Sequence, residues 1–323
     1  MQAINLDTWE QHAGLNRLQT LLLFAFMAGF LGLLGWILWG FSGIIILGLL
    51  ALLFFSLNPA LPPQLIMRLY QATPIRPQQA PTLYGITREL AQRAQLPVSP
   101  TLYYIPSQTV NAFTVGNRNQ SVIAITDGLL RTLNTREQTG VLAHEISHIR
   151  NNDLRVMSLA DTFSRLTALM SLLGQFLLLI NLPLILFGMV SINWLAIMVL
   201  IFAPSVSALA QLGLSRVREY DADLNAARLS GDPEGLARAL EKIETTQRHW
   251  LQRLFLPSHQ QTEPSLLRTH PPTEERIRRL LALQRDRYRP IQLDPEISRL
   301  MELLNREAIR RRPRRHPFSG LWH

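Results

Sequence analysis

The sequence predicts a mainly α-helical protein with a small β-sheet: an α+β domain combined with four transmembrane helices arranged as two hairpins. Three observations carry this expectation. No Asp, Glu, Lys or Arg occurs between Arg17 and Arg68, or between Arg165 and Arg216, although 17% of the 323 residues are charged. Short pieces rich in β-branched and aromatic residues lie between Thr101 and Ile125. His144, Glu145 and His148 form an H-E-x-x-H sequence whose neighbours Leu142, Ala143, Ile146 and Ile149 are apolar and helix-compatible.

Taken in order, residues 1–19 are a polar leader. The run from Leu21 to Leu57 would make a helical rod of roughly 55 Å against a hydrocarbon core of about 30 Å. It therefore reads as a hairpin over residues 20–58, turning at Gly40-Phe41-Ser42-Gly43 and ended by Asn58-Pro59 and Pro62-Pro63. A cleaved signal peptide does not fit, because the apolar segment is too long and no small-residue cleavage site precedes a second one. Arg17 stands before the hairpin and Arg68, Arg76 and Arg88 after it, which puts both ends on the positive, cytoplasmic side.

Residues 64–165 read as the first part of a folded domain. Leu83, Ile86, Leu90 and Ala94 recur at helical spacing within 80–96, and strands are expected at Thr101–Ile105, Thr109–Val115 and Ser121–Ile125. Gly116-Asn117-Arg118-Asn119 would join the last two as a hairpin. Thr135 with Gln138 has the capping-box form and would start the metal helix. Nothing breaks that helix before Leu166, so it should lead almost directly into the membrane.

Residues 166–214 form the second apolar run, long enough for two spans, with a break near Asn181-Leu182-Pro183 or Ser191-Ile192-Asn193. A buried helical hairpin in a soluble domain is the alternative. Residues 215–286 read as the second part of the domain and 287–323 as an Arg-rich tail carrying Arg306, Arg310, Arg311, Arg312, Arg314 and Arg315.

The net charge of +9 is almost wholly arginine, Lys242 being the only lysine. Beside so much apolar sequence, that excess fits cytoplasmic retention and contact with the anionic lipid bilayer, and no nucleic-acid motif accompanies it. With no cysteine, disulfide and thiol chemistry are excluded, which fits a reducing compartment.

Residues four apart share a helix face, so His144 and His148 can hold one metal ion between their imidazoles. Glu145, one step round, stays off the ion but within reach of a water on it. A chance match is expected in roughly one chain in a hundred of this length, so the motif is specific without being decisive.

A third ligand is needed, and an even number of crossings by the second run would return the chain to the same side. Glu219 is the first choice. Asp223, one turn on, would hold a ligating imidazole by its free N–H. The ordinary alternative is that both acids pair with Arg216 and Arg218 on a solvated helix. Asp153 is a weaker candidate for Asp223's role, with a surface acid as the bland alternative. His249 or His259 would serve if Glu219 does not, and His270 sits on a proline-fixed mount before a helix.

Asn111-Ala112-Phe113 with Gly116, the His144 to His148 motif, Ser215-Arg216 to Asp223, and His270-Pro271 to Arg276 stand in an order that resembles the HtpX-type integral-membrane zinc metalloproteases. These are relatives of the CAAX prenyl-protein endopeptidases, and the likeness runs from about residue 15 to residue 285. It implies a zincin-like catalytic domain with His144, His148 and Glu219 as ligands of one Zn2+ per chain, Glu145 as catalytic base, and a cytoplasm-facing site. It also implies that Asn111, Ala112 and Phe113 line the substrate cleft and that His270 and Arg276 face the reacting carbonyl. The expected function is a multi-pass membrane endopeptidase acting on polypeptides, misfolded or membrane proteins among them. A CAAX-type prenyl-protein endopeptidase and a non-catalytic zinc-containing assembly factor are the alternatives.

Overall fold

A computed structural model describes residues 5–57, 62–187, 193–254 and 272–283. Its elements, in chain order, are α1 (Leu6–Leu57), α2 (Pro63–Leu69), β1 (Thr73–Pro74), α3 (Pro81–Arg93), β2 (Thr101–Ile105), β3 (Ala112–Gly116) and β4 (Ser121–Thr126). They continue with α4 (Asp127–Thr132), α5 (Thr135–Asn151), α6 (Asp153–Leu186), α7 (Trp194–Ser230), α8 (Pro233–Leu254) and α9 (Thr273–Ala282). The protein is mainly helical with one four-stranded sheet.

Among the described residues three helices, α1, α6 and α7, are long and apolar enough to cross a membrane. Within α1, Trp39 and Gly40 leave helical geometry, Gly40 at φ 61°. The chain folds back there: Gly35 and Gly43 touch backbone to backbone, so that a Cβ on Gly43 would collide with the Gly35 carbonyl, and Leu31, Leu34, Leu47 and Ala51 share one buried cluster. The reversal begins a residue before the expected Gly40–Gly43 turn, because only Gly40 supplies the positive φ that a Cβ resists. The segment expected as a polar leader supplies the first turns of α1, pinned by Trp9 Nε1 donating to Leu224 O at 3.0 Å.

Helices α6 and α7 run antiparallel. Ser164 Oγ lies 3.1 Å from Ser207 Oγ near one end, and Gly174 lies against Leu200 further along. Of the two expected breaks, α6 passes through Pro183 and ends at Leu186, and α7 starts at Trp194, capped by Asn193 Oδ1 accepting from the Ala196 amide. The outward faces of these helices are apolar, with Leu172, Leu179, Leu186, Leu195 and Leu209 exposed.

The sheet has the order β1-β2-β4-β3, with β2 and β4 parallel and the other pairs antiparallel. β4 has a neighbour on each side and every residue of it is buried, whereas β3 is an edge strand. The expected β3–β4 hairpin forms, its turn closed by Asn117 Oδ1 accepting from the amides of Asn119 and Gln120. Gly116 has φ 107° with no room for a Cβ beside the Gln120 carbonyl. β3 starts three residues later than expected, because Thr126 Oγ1 ties down the loop before it, donating to Thr109 O at 2.6 Å and accepting from the Asn111 amide at 3.0 Å.

α5 is buried between the sheet side and the later helices, with Leu142, Ala143 and Ile146 in the largest core cluster beside Leu224, Ala227 and Leu236. Its N-cap is Asn134 rather than Thr135: Asn134 Oδ1 accepts from the Glu137 amide at 3.0 Å and Glu137 Oε2 accepts from the Asn134 amide at 2.9 Å. Gln138, third in the other frame, donates from its Nε2 to Leu130 O and Leu133 O, which leaves Glu137 to complete the reciprocal pair. The expected uninterrupted run into the membrane is also corrected, since Asn152 adopts φ 55° and separates α5 from α6.

Candidate metal centre

α5 presents His144 and His148 on one face, their rings 4.6 Å apart and nearly perpendicular. Their Nε2 atoms approach to 3.1 Å. α7 emerges from its charge-free stretch at Ser215 and brings Glu219 to the same point about 6 Å further along the helix axis. Glu219 Oε2 lies 3.4 Å from His144 Nε2, and Oε1 lies 3.8 Å from His148 Nε2. Among the described residues these three are brought together as a group able to hold a metal ion.

The donor chemistry fits zinc. Bonds of 2.0–2.1 Å at tetrahedral angles put neighbouring donor atoms about 3.3 Å apart, and the Nε2–Nε2 separation of 3.1 Å and the His144 Nε2–Glu219 Oε2 separation of 3.4 Å lie close to that edge. The opposite ring nitrogens are engaged: His144 Nδ1 lies 3.0 Å from Asp223 Oδ1 and His148 Nδ1 lies 2.7 Å from Asp153 Oδ2. With Nδ1 engaged by each carboxylate, the two Nε2 atoms face one another beside a third acceptor, an arrangement that positive charge, a proton or a metal ion, stabilises.

The same demand for positive charge acts on the histidines' protons. Burial works to lower the His144 pKa, yet hydrogen bonding to Asp223 and Glu219 outweighs it and lifts the group from 6.5 to about 10. His148 is also raised, its burial outweighed chiefly by the bond to Asp153. Metal binding must therefore displace protons.

Each carboxylate behind an imidazole is held by a buried arginine. Arg276, from α9, donates from Nε and Nη2 to the two oxygens of Asp223, both at 2.7 Å, and its Nη1 lies 3.4 Å from Glu219 Oε2. Arg218, from α7 itself, donates from Nε to Asp153 Oδ1 at 2.6 Å. Asp153 is 4% exposed, so the surface-acid alternative does not hold. Neither Glu219 nor Asp223 is on a solvated face, at 8% and 3% exposure.

Glu145 is turned toward the sheet, where Thr114 Oγ1 donates to its Oε2 at 2.8 Å. Thr114 and Phe113 point to opposite faces of β3: Phe113 packs on Tyr70 with ring centroids 5.0 Å apart, away from the histidines. Asn111 and Ala112 lie at the entry to the same edge strand. His259 and His270 lie outside the described residues, as do the His249 side chain and the Arg-rich tail.

Sequence reasoning missed Thr114, which carries no motif, and assigned Arg218 only as a possible neighbour for acids on its own helix. Arg218 does meet an acid of that helix, Asp221, but its shorter contacts are to Asp153, 65 residues earlier in the chain.

The profile of Peptidase family M48 matches residues 77–284. A protease HtpX homolog of Acaryochloris marina is 39% identical over 241 residues, covering 70% of this chain and 80% of the relative. Another, of Desulforapulum autotrophicum, is 34% identical over 283 residues, covering 82% and 89%. Among solved structures, the crystal structure of S. mikatae Ste24p aligns with TM-score 0.43 at 23% identity, covering 86% of this chain and 68% of that one.

Proposed function

Because the chain belongs to peptidase family M48, among the HtpX-type membrane proteases, we propose that it is a zinc-dependent endopeptidase cleaving polypeptides, misfolded and membrane proteins among them, at a site just outside the bilayer. The observation that carries this is the convergence of His144 Nε2, His148 Nε2 and the Glu219 carboxylate, with Glu145 immediately beside them. Three protein donors among the described residues, instead of four, favour an open, catalytic site over a closed structural one.

His144, His148 and Glu219 would hold one zinc ion, which when bound supplies a Lewis acid and a water acidic enough to ionise near neutral pH. Glu145 is the base. Thr114 occupies Oε2, so Oε1 takes the proton of the attacking water and returns it to the departing amine nitrogen. Asp223 and Asp153 hold the Nδ1 protons and fix the rings, so Nε2 is the nitrogen of each imidazole that gives up its proton to the metal.

Arg276 was expected to face the reacting carbonyl. With Nε and Nη2 committed to Asp223 and Nη1 beside Glu219, it instead supports the ligand side, and His270 is the remaining candidate donor to the carbonyl oxygen. β3 is an edge strand, so an extended substrate would pair along the segment led by Asn111, Ala112 and Phe113, recognising backbone more than side chain.

The two reversals, at Trp39–Gly40 and between α6 and α7, support four crossings in two hairpins over 20–58 and 166–214. The zincin-like catalytic domain would then be split between 64–165 and 215–286, both on the arginine-bearing cytoplasmic face.

The test is metal analysis of detergent-purified protein beside hydrolysis of an unfolded polypeptide. One zinc per chain with chelator-sensitive cleavage is expected, both lost in Glu219→Ala. Cleavage that survives complete metal removal sinks the proposal.

A further inference from the structure

We infer that Arg218 is a positioning residue for the metal centre: by clamping one oxygen of Asp153 it fixes the other against His148 Nδ1 and so aims His148 Nε2 at the ion. The inference rests on the zinc reading above and concerns a residue to which that reading assigns no role.

Asp153 is the first residue of α6, and Arg218 lies in α7 just past the charge-free stretch. Arg218 is 9% exposed. It places Nε 2.6 Å and Nη2 2.5 Å from the same atom, Asp153 Oδ1. Oδ2 is left to His148 Nδ1 at 2.7 Å. Arg218 Nη2 also lies 3.1 Å from Asp221 Oδ2, which accepts from Asn151 Nδ2 at 3.1 Å, so the guanidinium itself is held from a second direction.

Asp153 already has a local purpose, because an acid in the first turn of a helix is favoured by the helix dipole. That purpose would leave the carboxylate free to turn about its terminal torsion, which is broad for Asp. A planar guanidinium on one oxygen removes that freedom.

The need is greatest at His148. His144 stands a full turn inside α5, whereas His148 is in the last turn, just before the left-handed residue Asn152. Helix ends are the part of the helix most prone to fray. The clasp joins that end to the base of both apolar helices, whose packing continues through Ser164 and Ser207. A pair that served only to staple α6 to α7 would not require the second carboxylate oxygen to meet a ring nitrogen.

The experiment uses full-length protein in detergent. Zinc affinity is read by competition with a chromophoric chelator, Co2+ binding by its visible absorption, and folding by circular dichroism. Arg218→Met should remain helical, weaken zinc binding by roughly 10- to 100-fold, and alter the Co2+ spectrum. Arg218→Lys, which keeps the charge but not the fork, should recover only part of the affinity.

Zinc affinity within twofold of wild type in folded Arg218→Met, with an unchanged Co2+ spectrum, overturns the inference and leaves the pair a helix staple. Should Arg218→Met fail to fold, Arg218→Lys decides: a tenfold or greater loss of zinc affinity in the folded variant supports the inference and a smaller one overturns it. A wild-type protein that binds no zinc would instead sink the proposed function itself.

Discussion

Thr114 Oγ1 donates to Glu145 Oε2 across 2.8 Å, tying the edge strand of the sheet to the carboxylate beside the first metal-facing histidine. The strand on which a substrate backbone would pair is thus the strand that orients the base. Thr114→Val keeps the shape and removes the donor. A hydrogen bond to a charged group contributes about 1.5–3 kcal/mol, so kcat should fall by roughly 10- to 100-fold, with KM little changed, and Thr114→Ser should restore it. Steady-state kinetics on an unstructured polypeptide checks this, and a rise in KM with kcat intact would show that Thr114 serves substrate binding instead.

Glu145→Gln tests the base directly. General-base catalysis contributes roughly 10²- to 10⁴-fold, and kcat should drop by that factor while zinc content stays at one per chain, because Glu145 is not among the converging donors. Zinc lost along with activity would reassign Glu145 to the ligand set.

Acid should strip the metal. In the zinc-free site His144 is raised from 6.5 to about 10 and His148 is raised as well, so at neutral pH binding must expel protons and apparent zinc affinity should fall about tenfold per pH unit for each proton displaced. The zinc-free protein should show the opposite sign. A raised histidine stabilises the fold fully below 6.5, and that contribution is lost as pH climbs through about 10. Thermal unfolding with and without zinc between those limits should therefore diverge as pH rises, and parallel curves would reject the coupling.

Topology can be read without background labelling, since the chain has no cysteine. Single cysteines at Gln11 and Ser99 should react with a membrane-impermeant maleimide only from the cytoplasmic side, and those at Phe41 and Phe187, both exposed at the reversals, only from the other. Labelling of Gln11→Cys and Ser99→Cys from opposite faces would mean that α1 crosses once.

Much of this architecture was legible because its causes are local. Two long stretches without charge announce apolar helices whatever they pack against, and Gly116-Asn117 announces a turn because few other residues tolerate that backbone. The errors arose where two neighbours offered the same chemistry. Asn134 and Thr135 can both cap a helix, and only the position of Glu137 chose between them. Asp153 resembled any exposed acid after a helix, because nothing in its neighbours indicates that Arg218 will bury it.

By itself the sequence determined that His144 and His148 share a face, since helical periodicity is a property of the backbone, and that the chain must fold its apolar runs away from water. It ranked Glu219 first as the acid to meet those imidazoles while leaving His249 and His259 open, and it did not determine which arginine would hold each acid or that Thr114 would reach Glu145. Those choices belong to the packing of α5 against β3, α7 and α9. Contacts between distant segments are set by how whole helices and strands dock, and no short-range pattern carries that geometry.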